Sequence, residues 1–228
     1  MNCRIDSIWK NETIFIIGGG SSMPYQFDIP QNVIEDVKNK MQPVSSFSPY
    51  MNVLHNRKTI GINAAYLIGD WIKIIFFHDE DFWIRNKTGL ENHPGRLICC
   101  NNSFVNHPHE RVEYLPKDRT KKFGIHSEHD KICWNHNSGA AAITVAANLG
   151  AKRIVLLGFD MNAPTGKSHF HSEYNQKRLP PFEKHLLGFA QIALDAKDRG
   201  IEIINCSMDS AINVFPKINL KDILANEN

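Results

Sequence analysis

No apolar run in this sequence is long enough to cross a bilayer, and the longest early one, Ile14 to Ile17, is far too short for the hydrophobic core of a secretion signal. A cytoplasmic chain is expected. Charge of one sign is lacking too: 26 Lys and Arg against 24 Asp and Glu leave a net charge of +2, without the basic excess of a nucleic-acid groove. The five cysteines, Cys3, Cys99, Cys100, Cys133 and Cys206, are odd in number and form no Cys-x-x-Cys pair, which speaks for reduced thiols rather than a disulfide or zinc framework. Internal repeats, low-complexity tracts and linkers are missing as well. What remains, 228 residues with 42% hydrophobic and 22% charged, predicts one domain, 1–228, with a core of ordinary size.

The most legible stretch runs from Asn137 to Asn162. Small and apolar positions after Ser138-Gly139 suit a helix laid closely on a sheet, stopping at Gly150, and Ile154-Val-Leu-Leu157 is short and branched enough for a buried parallel strand. That strand delivers Gly158-Phe159-Asp160 to the carboxyl edge of the sheet, where open α/β sheets bind ligands. Asn137 or Ser138 can cap the helix, whose positive end then faces the same crevice and favours an anion.

Upstream, the run Thr13 to Ile17 ends in Gly18-Gly19-Gly20-Ser21-Ser22, which allows close approach of backbone N–H groups to a phosphate or serves simply as a turn. It matches neither the dinucleotide Gly-x-Gly-x-x-Gly spacing nor a Walker loop. Pro30 to Met41 has helical spacing, residues 42–57 read as a surface excursion, and Thr59 to Asn63 reads as a second strand. Asn63 there is either a ligand for a base or ribose or a helix cap. Ile72 to Phe77 is a third strand running into His78-Asp79-Glu80-Asp81, acids that either hold a divalent metal against phosphates or favour the dipole of the following helix.

Two more short strands are expected at Arg96 to Cys100 and Arg111 to Leu115. The intervening His107-Pro-His109 lacks a third ligand and reads as loop histidines. Segments 116–136 and 162–180 are long, polar and aperiodic, and are expected to be mobile loops near the site. In the second, His169 and His171 are candidate proton acceptors and Lys167, Lys177 and Arg178 candidate phosphate partners, against the plainer reading of a solvated loop. Pro181 to Arg199 predicts one long amphipathic helix ending at Gly200, followed by a last strand, Ile201 to Asn205, and a terminal turn or helix at Leu220 to Leu224.

The order of Gly18–Ser22, Ile62-Asn63-Ala64, the Asn137–Asn162 unit, His171-Ser172 and Asn205-Cys206-Ser207 with Ser210 resembles that of the bacterial lipooligosaccharide sialyltransferases. It is similar, too, to the related motility accessory factor and hydroxymethylpterin diphosphokinase-like proteins, a superfamily with members in phage genomes. The resemblance implies an α/β, Rossmann-like (glycosyltransferase-A-like variant), mostly parallel sheet with helices on both faces. It further implies that Gly18, Gly19, Gly20, Ser21, Ser22, Asn63, Asn137, Ser138, Gly139 and Asp160 hold a nucleotide, and that His171, with His169 beside it, is the catalytic base. The family's Gly-Asn-Gly-Pro-Ser turn is Gly-Gly-Gly-Ser-Ser here, its strand-three asparagine falls at His78, and its tyrosines after the central strand are absent.

Two activities follow. A glycosyltransferase would take a nucleotide sugar donor and a hydroxyl-bearing acceptor, which leaves open a glycan, a small metabolite or a modified nucleobase; it would require no cofactor or metal. A diphosphokinase would bind ATP with magnesium on Asp79, Glu80 or Asp160 and act on a small hydroxymethyl compound. A non-catalytic nucleotide-binding module is the third expectation, and a homo-oligomer is compatible with all three.

Overall fold

The computed structural model describes residues 5–163, 166, 168–173 and 179–226. Seven strands, β1 (Thr13–Ile17), β2 (Lys58–Ile62), β3 (Ile74–Phe77), β4 (Arg96–Cys99), β5 (Val112–Tyr114), β6 (Arg153–Leu157) and β7 (Glu202–Asn205), form one sheet in the order β5-β4-β3-β2-β1-β6-β7. Every pairing is parallel. The helices are α1 (Gln31–Lys38), α2 (Glu80–Asn92), α3 (Ser103–Asn106), α4 (Ser138–Asn148), α5 (Phe182–Leu186), α6 (Phe189–Asp198) and α7 (Leu220–Ala225).

Parallel strands must be covered on both faces, and alternation along each strand supplies two cores. Ile14 and Ile16 of β1, with Ile154 and Leu156 of β6, meet α4 and α6 on one face. Phe15 and Ile17, with Val155 and Leu157, meet α1, α2 and α7 on the other. The expected α/β, Rossmann-like architecture is therefore present. Among the described residues no helix is long and apolar enough to cross a membrane. Cys99, Cys100, Cys133 and Cys206 are buried and unbridged, and burial pushes the thiols of Cys99 and Cys206 up to about 12.

Three local expectations are corrected. The excursion at 42–57 contains a 3₁₀ helix, Val44–Leu54, whose buried Val44, Phe47, Met51 and Leu54 recur every three or four residues behind a screen of serines and Pro49. The first helix stops at Lys38, because Lys40 turns left-handed (φ 61°), and Met41 is left 74% exposed. The long helix at 181–199 is two, broken at Leu187-Gly188, where a Cβ on Gly188 would lie 2.7 Å from the Asn135 side chain. Within segment 116–136, Asp118 N–H donates to Ile132 O at 2.9 Å and Ile132 N–H to Pro116 O at 3.0 Å, Gly124 N–H donates to Asn135 Oδ1, and Lys121 pairs with Asp195 of α6 at 3.0 Å.

Candidate active site at the strand carboxyl ends

Strand order reverses between β1 and β6: successive strands run outward from β1 to β5, and the chain then returns to lay β6 on the other side of β1. The turns that leave these two neighbours diverge, opening a crevice at the topological switch point. A cleft of about 620 Å³ occupies that place, lined among others by Gly18, Gly19, Gly20, Asn63, Asn137, Ser138, Gly139, Asp160, His169 and His171. Ten of the residues singled out from the sequence thus come together, although they derive from five separate parts of the chain. Asp79 and Glu80 line the same cleft from the start of α2. Lys167, Lys177 and Arg178 lie outside the described residues.

Ser21 and Ser22 have a different setting. The Ser22 N–H (2.9 Å), the Ser22 hydroxyl (2.5 Å) and the Ser21 hydroxyl (3.4 Å) all donate to the Asp160 carboxylate, so the glycine turn after β1 is fastened to the end of β6. Behind this clamp, Ser207 Oγ accepts from Phe159 N–H at 3.0 Å and the Ser210 hydroxyl donates to Phe159 O at 2.6 Å. Asn205 Nδ2 also donates to Phe159 O, at 3.3 Å. The polar residues after β7 are buried braces for the Gly158-Phe159-Asp160 turn.

The glycines stand in close packing, Gly20 against backbone and Gly19 against a side chain. A Cβ on Gly20 would stand 2.4 Å from the Gly158 carbonyl oxygen, and one on Gly19 would stand 2.8 Å from Cδ2 of His169. At the facing wall, Asn137 Oδ1 accepts the Ala140 N–H at 2.7 Å, capping α4, while its Nδ2 donates to His185 O at 2.8 Å. The helix therefore presents its N-terminal end to the cleft.

Left-handed backbone concentrates here. Of the seven non-glycine residues with positive φ among the described residues, Asn63 (50°), His136 (61°) and Met161 (49°) line the cleft and Asn135 (55°) adjoins it. Such conformations persist where surrounding contacts enforce them, and they cluster at functional sites. Asn135 enforces its own, with Oδ1 accepting Gly124 N–H at 2.7 Å and Nδ2 donating to Gly124 O and Cys133 O. Asn63 Oδ1 is buried and has no hydrogen-bond partner among the described residues, leaving an acceptor unsatisfied in the cleft wall.

Sequence reasoning missed Trp134, His136, Phe182, His185 and Arg85, which also line the cleft. His136 immediately precedes the cap residue, the one signal that pointed to it; the others are placed by long-range packing. Trp134 is held by His78, ring centroids 4.0 Å apart, and by the Lys117 ammonium 5.2 Å from its ring. Burial, then the nearby Lys184, lowers the pKa of both His136 and His185. Burial, and secondarily His169, holds His171 down to about 3. Among the described residues, no group of three or more His, Cys, Asp or Glu side chains is disposed to hold a metal ion.

Sheet order and crevice define an α/β protein of the Rossmann-like class. Within that class, two solved structures share its fold. A MAf glycosyltransferase from Magnetospirillum magneticum AMB-1 superposes with a TM-score of 0.58 at 13% identity, over 94% of this chain and 34% of its own. The sialyltransferase CstII from Campylobacter jejuni, solved with cytidine-5'-monophosphate, does so with a TM-score of 0.53 at 13% identity, over 92% of this chain and 86% of its own. The chain thus spans about a third of the MAf protein. No protein-family model and no curated protein matches the sequence.

Proposed function

We propose that this chain is a glycosyltransferase that seats a nucleotide-activated sugar in the switch-point cleft and passes the sugar to an acceptor hydroxyl. A histidine of segment 168–171 serves as general base. The observation that carries this reading is the meeting, in one cleft, of a glycine turn, a capped helix N-terminus and a pair of imidazoles. The first admits a phosphate to the backbone, the second meets its charge, and the third can take a proton. Gly18, Gly19, Gly20, Asn63, Asn137, Ser138 and Gly139 hold the nucleotide, and Asp160 acts on it through the turn it clamps. Asn63, which lines the cleft and whose amide carries both a donor and an acceptor, suits the edge of a base or a ribose hydroxyl. Because a sialyltransferase of this fold was solved with a cytidine nucleotide, cytidine is the first base to test. The acceptor is a glycan, a small metabolite or a modified nucleobase.

One observation favours a second reading, a magnesium-ATP diphosphokinase: Asp79 and Glu80 stand in the same cleft. A panel of cytidine, uridine, guanosine and adenosine phosphates, titrated by calorimetry with and without magnesium, separates the two. Metal-independent binding of a pyrimidine nucleotide supports the transferase. Binding of ATP only with magnesium would replace it by the kinase, and binding without turnover of any donor would leave a nucleotide-binding module.

A further inference from the structure

His169, Phe170 and His171 lie alongside the glycine turn as a short antiparallel strip. Gly20 and His169 form a β-bridge, and Phe170 N–H donates to Gly19 O at 3.0 Å. Phe170 is fully buried against Phe47, ring centroids 6.0 Å apart, while the two imidazoles line the cleft with centroids 5.3 Å apart.

The two rings differ in their hydrogen bonding. His171 Nδ1 accepts the Glu173 N–H at 3.2 Å. A ring nitrogen that accepts from a backbone amide carries no hydrogen, so the neutral ring has its hydrogen, not a lone pair, on Nε2. His171 is also 6% exposed, and its buried ring stays neutral at ordinary pH. His169 is half-buried, with Nδ1 2.8 Å from Ser168 Oγ. The Nε2 atoms of His169 and His171 lie 3.5 and 3.9 Å from the point a Cβ of Gly19 would occupy, so both address the space above the glycine turn.

Resting on the glycosyltransferase reading, we infer that the two histidines divide the chemistry: His169 Nε2 takes the proton of the acceptor hydroxyl, and His171 Nε2–H donates to the phosphate of the nucleotide. The resemblance had given the base role to His171; its bond from Glu173 moves that role to His169. In the step, the acceptor oxygen forms its bond to the anomeric carbon as its proton passes to His169 Nε2; the tautomer this requires has its hydrogen on Nδ1, the atom 2.8 Å from Ser168 Oγ. The bond from the anomeric carbon to the phosphate oxygen breaks with its electron pair on that oxygen. His171 Nε2–H and the N-terminus of α4 meet the charge left there, and the His169 imidazolium then returns its proton to solvent.

The test uses the whole chain at pH 7.5 with CMP as the binding probe and CMP release from CMP-sialic acid as the turnover probe. Histidine ¹⁵N spectra of the wild type, assigned with His171→Gln, are expected to show His171 as the Nε2–H tautomer. His171→Ala should weaken CMP binding roughly 10-fold, as for loss of a hydrogen bond to a charged group, and His171→Gln, whose amide restores a donor, should recover it to within about 3-fold. His169→Ala should keep CMP affinity within about 3-fold and lower turnover about 100-fold or more. An Nδ1–H tautomer at His171 would overturn the inference, as would a His169→Ala variant of full turnover beside a His171→Gln variant with none and normal CMP affinity. Failure of the wild type to bind CMP strikes instead at the cytidine glycosyltransferase reading beneath it, while the tautomer still decides the division of roles.

Discussion

Ser22 and Asp160 hold the two halves of the cleft together: the amide and the hydroxyl of Ser22 both donate to the one carboxylate, joining the turn after β1 to the turn after β6. Asp160 is 6% exposed, so the carboxylate has little water to replace those donors. Asp160→Ala is expected to cost about 3 kcal/mol of stability, because it strands three donors of the half-buried Ser21 and Ser22, and Ser22→Ala about 1 kcal/mol. Urea unfolding followed by circular dichroism measures both. Equal and negligible losses would remove the clamp from the account.

Neighbouring glycines should respond differently to the same methyl group. Gly20→Ala drives a Cβ against the Gly158 carbonyl and the Asp160 carboxylate, groups fixed by the fold, and is expected to destabilise by about 2 kcal/mol or more. Gly19→Ala presses on the His169 ring, a side chain able to turn aside, and reaches His171 Nε2 at 3.9 Å, so stability should change by less than about 1 kcal/mol while turnover falls about 10-fold or more. Paired melting curves and rate measurements distinguish the two outcomes.

A pH dependence follows from His171. Its folded pKa of about 3 lies below the value of 6.5 that an unperturbed imidazole has, so below pH 6.5 the unfolded chain binds a proton that the folded chain does not. The stability tied to the neutral ring is complete above pH 6.5 and drains as pH falls toward 3, by up to about 1.4 kcal/mol per pH unit. His78, His93, His136 and His185 are shifted the same way, chiefly by burial, and add to the trend. His171→Gln removes one contributor. The stability difference between wild type and this variant should therefore move in the variant's favour between pH 7.5 and 5, as read by urea titrations at each pH; a constant difference would contradict the assignment.

Asn137 links the helix start to the opposite wall. Asn137→Ala removes the cap on Ala140 N–H and the bond to His185 O, and should cost about 1 to 2 kcal/mol. Asn137→Asp keeps the cap but loses the donor to His185. It also adds a negative charge at the end proposed to meet phosphate, so nucleotide affinity should fall more than stability, a contrast that calorimetry and unfolding together would detect.

The α4–β6 unit was readable because each of its signals is local: an asparagine that caps, alanines that let a helix approach a sheet, branched residues that make a buried strand. The glycine turn and Asn63 were found for the same reason, standing directly after strands. Val44–Leu54 escaped because serines and a proline fill the exposed positions between its buried ones, obscuring a spacing that is present. The break at Gly188 falls on a residue that weakens a helix, but the close packing that requires a glycine there comes from Asn135, more than fifty residues away. Trp134 comes from a polar segment without periodicity and His185 from the span expected as an amphipathic helix, whose pattern marks no cleft residue, and only the parallel order of the sheet brings them to one cleft. The serines after β7 stood in the expected order, but their bracing of Phe159 depends on the β6–β7 pairing.

The register of β1 against β6, Thr13 opposite Arg153 and Ile17 opposite Leu157, joins parts of the chain about 140 positions apart. The cleft exists only once that pairing has closed, so during folding it must be completed late, after the contiguous strands β1 to β5 have had the chance to assemble. A molecule bound between the two turns would grip the most distant partners in the sheet. Its binding energy would then appear as slower amide exchange throughout the central strands, and not merely as quieting of the loops it touches.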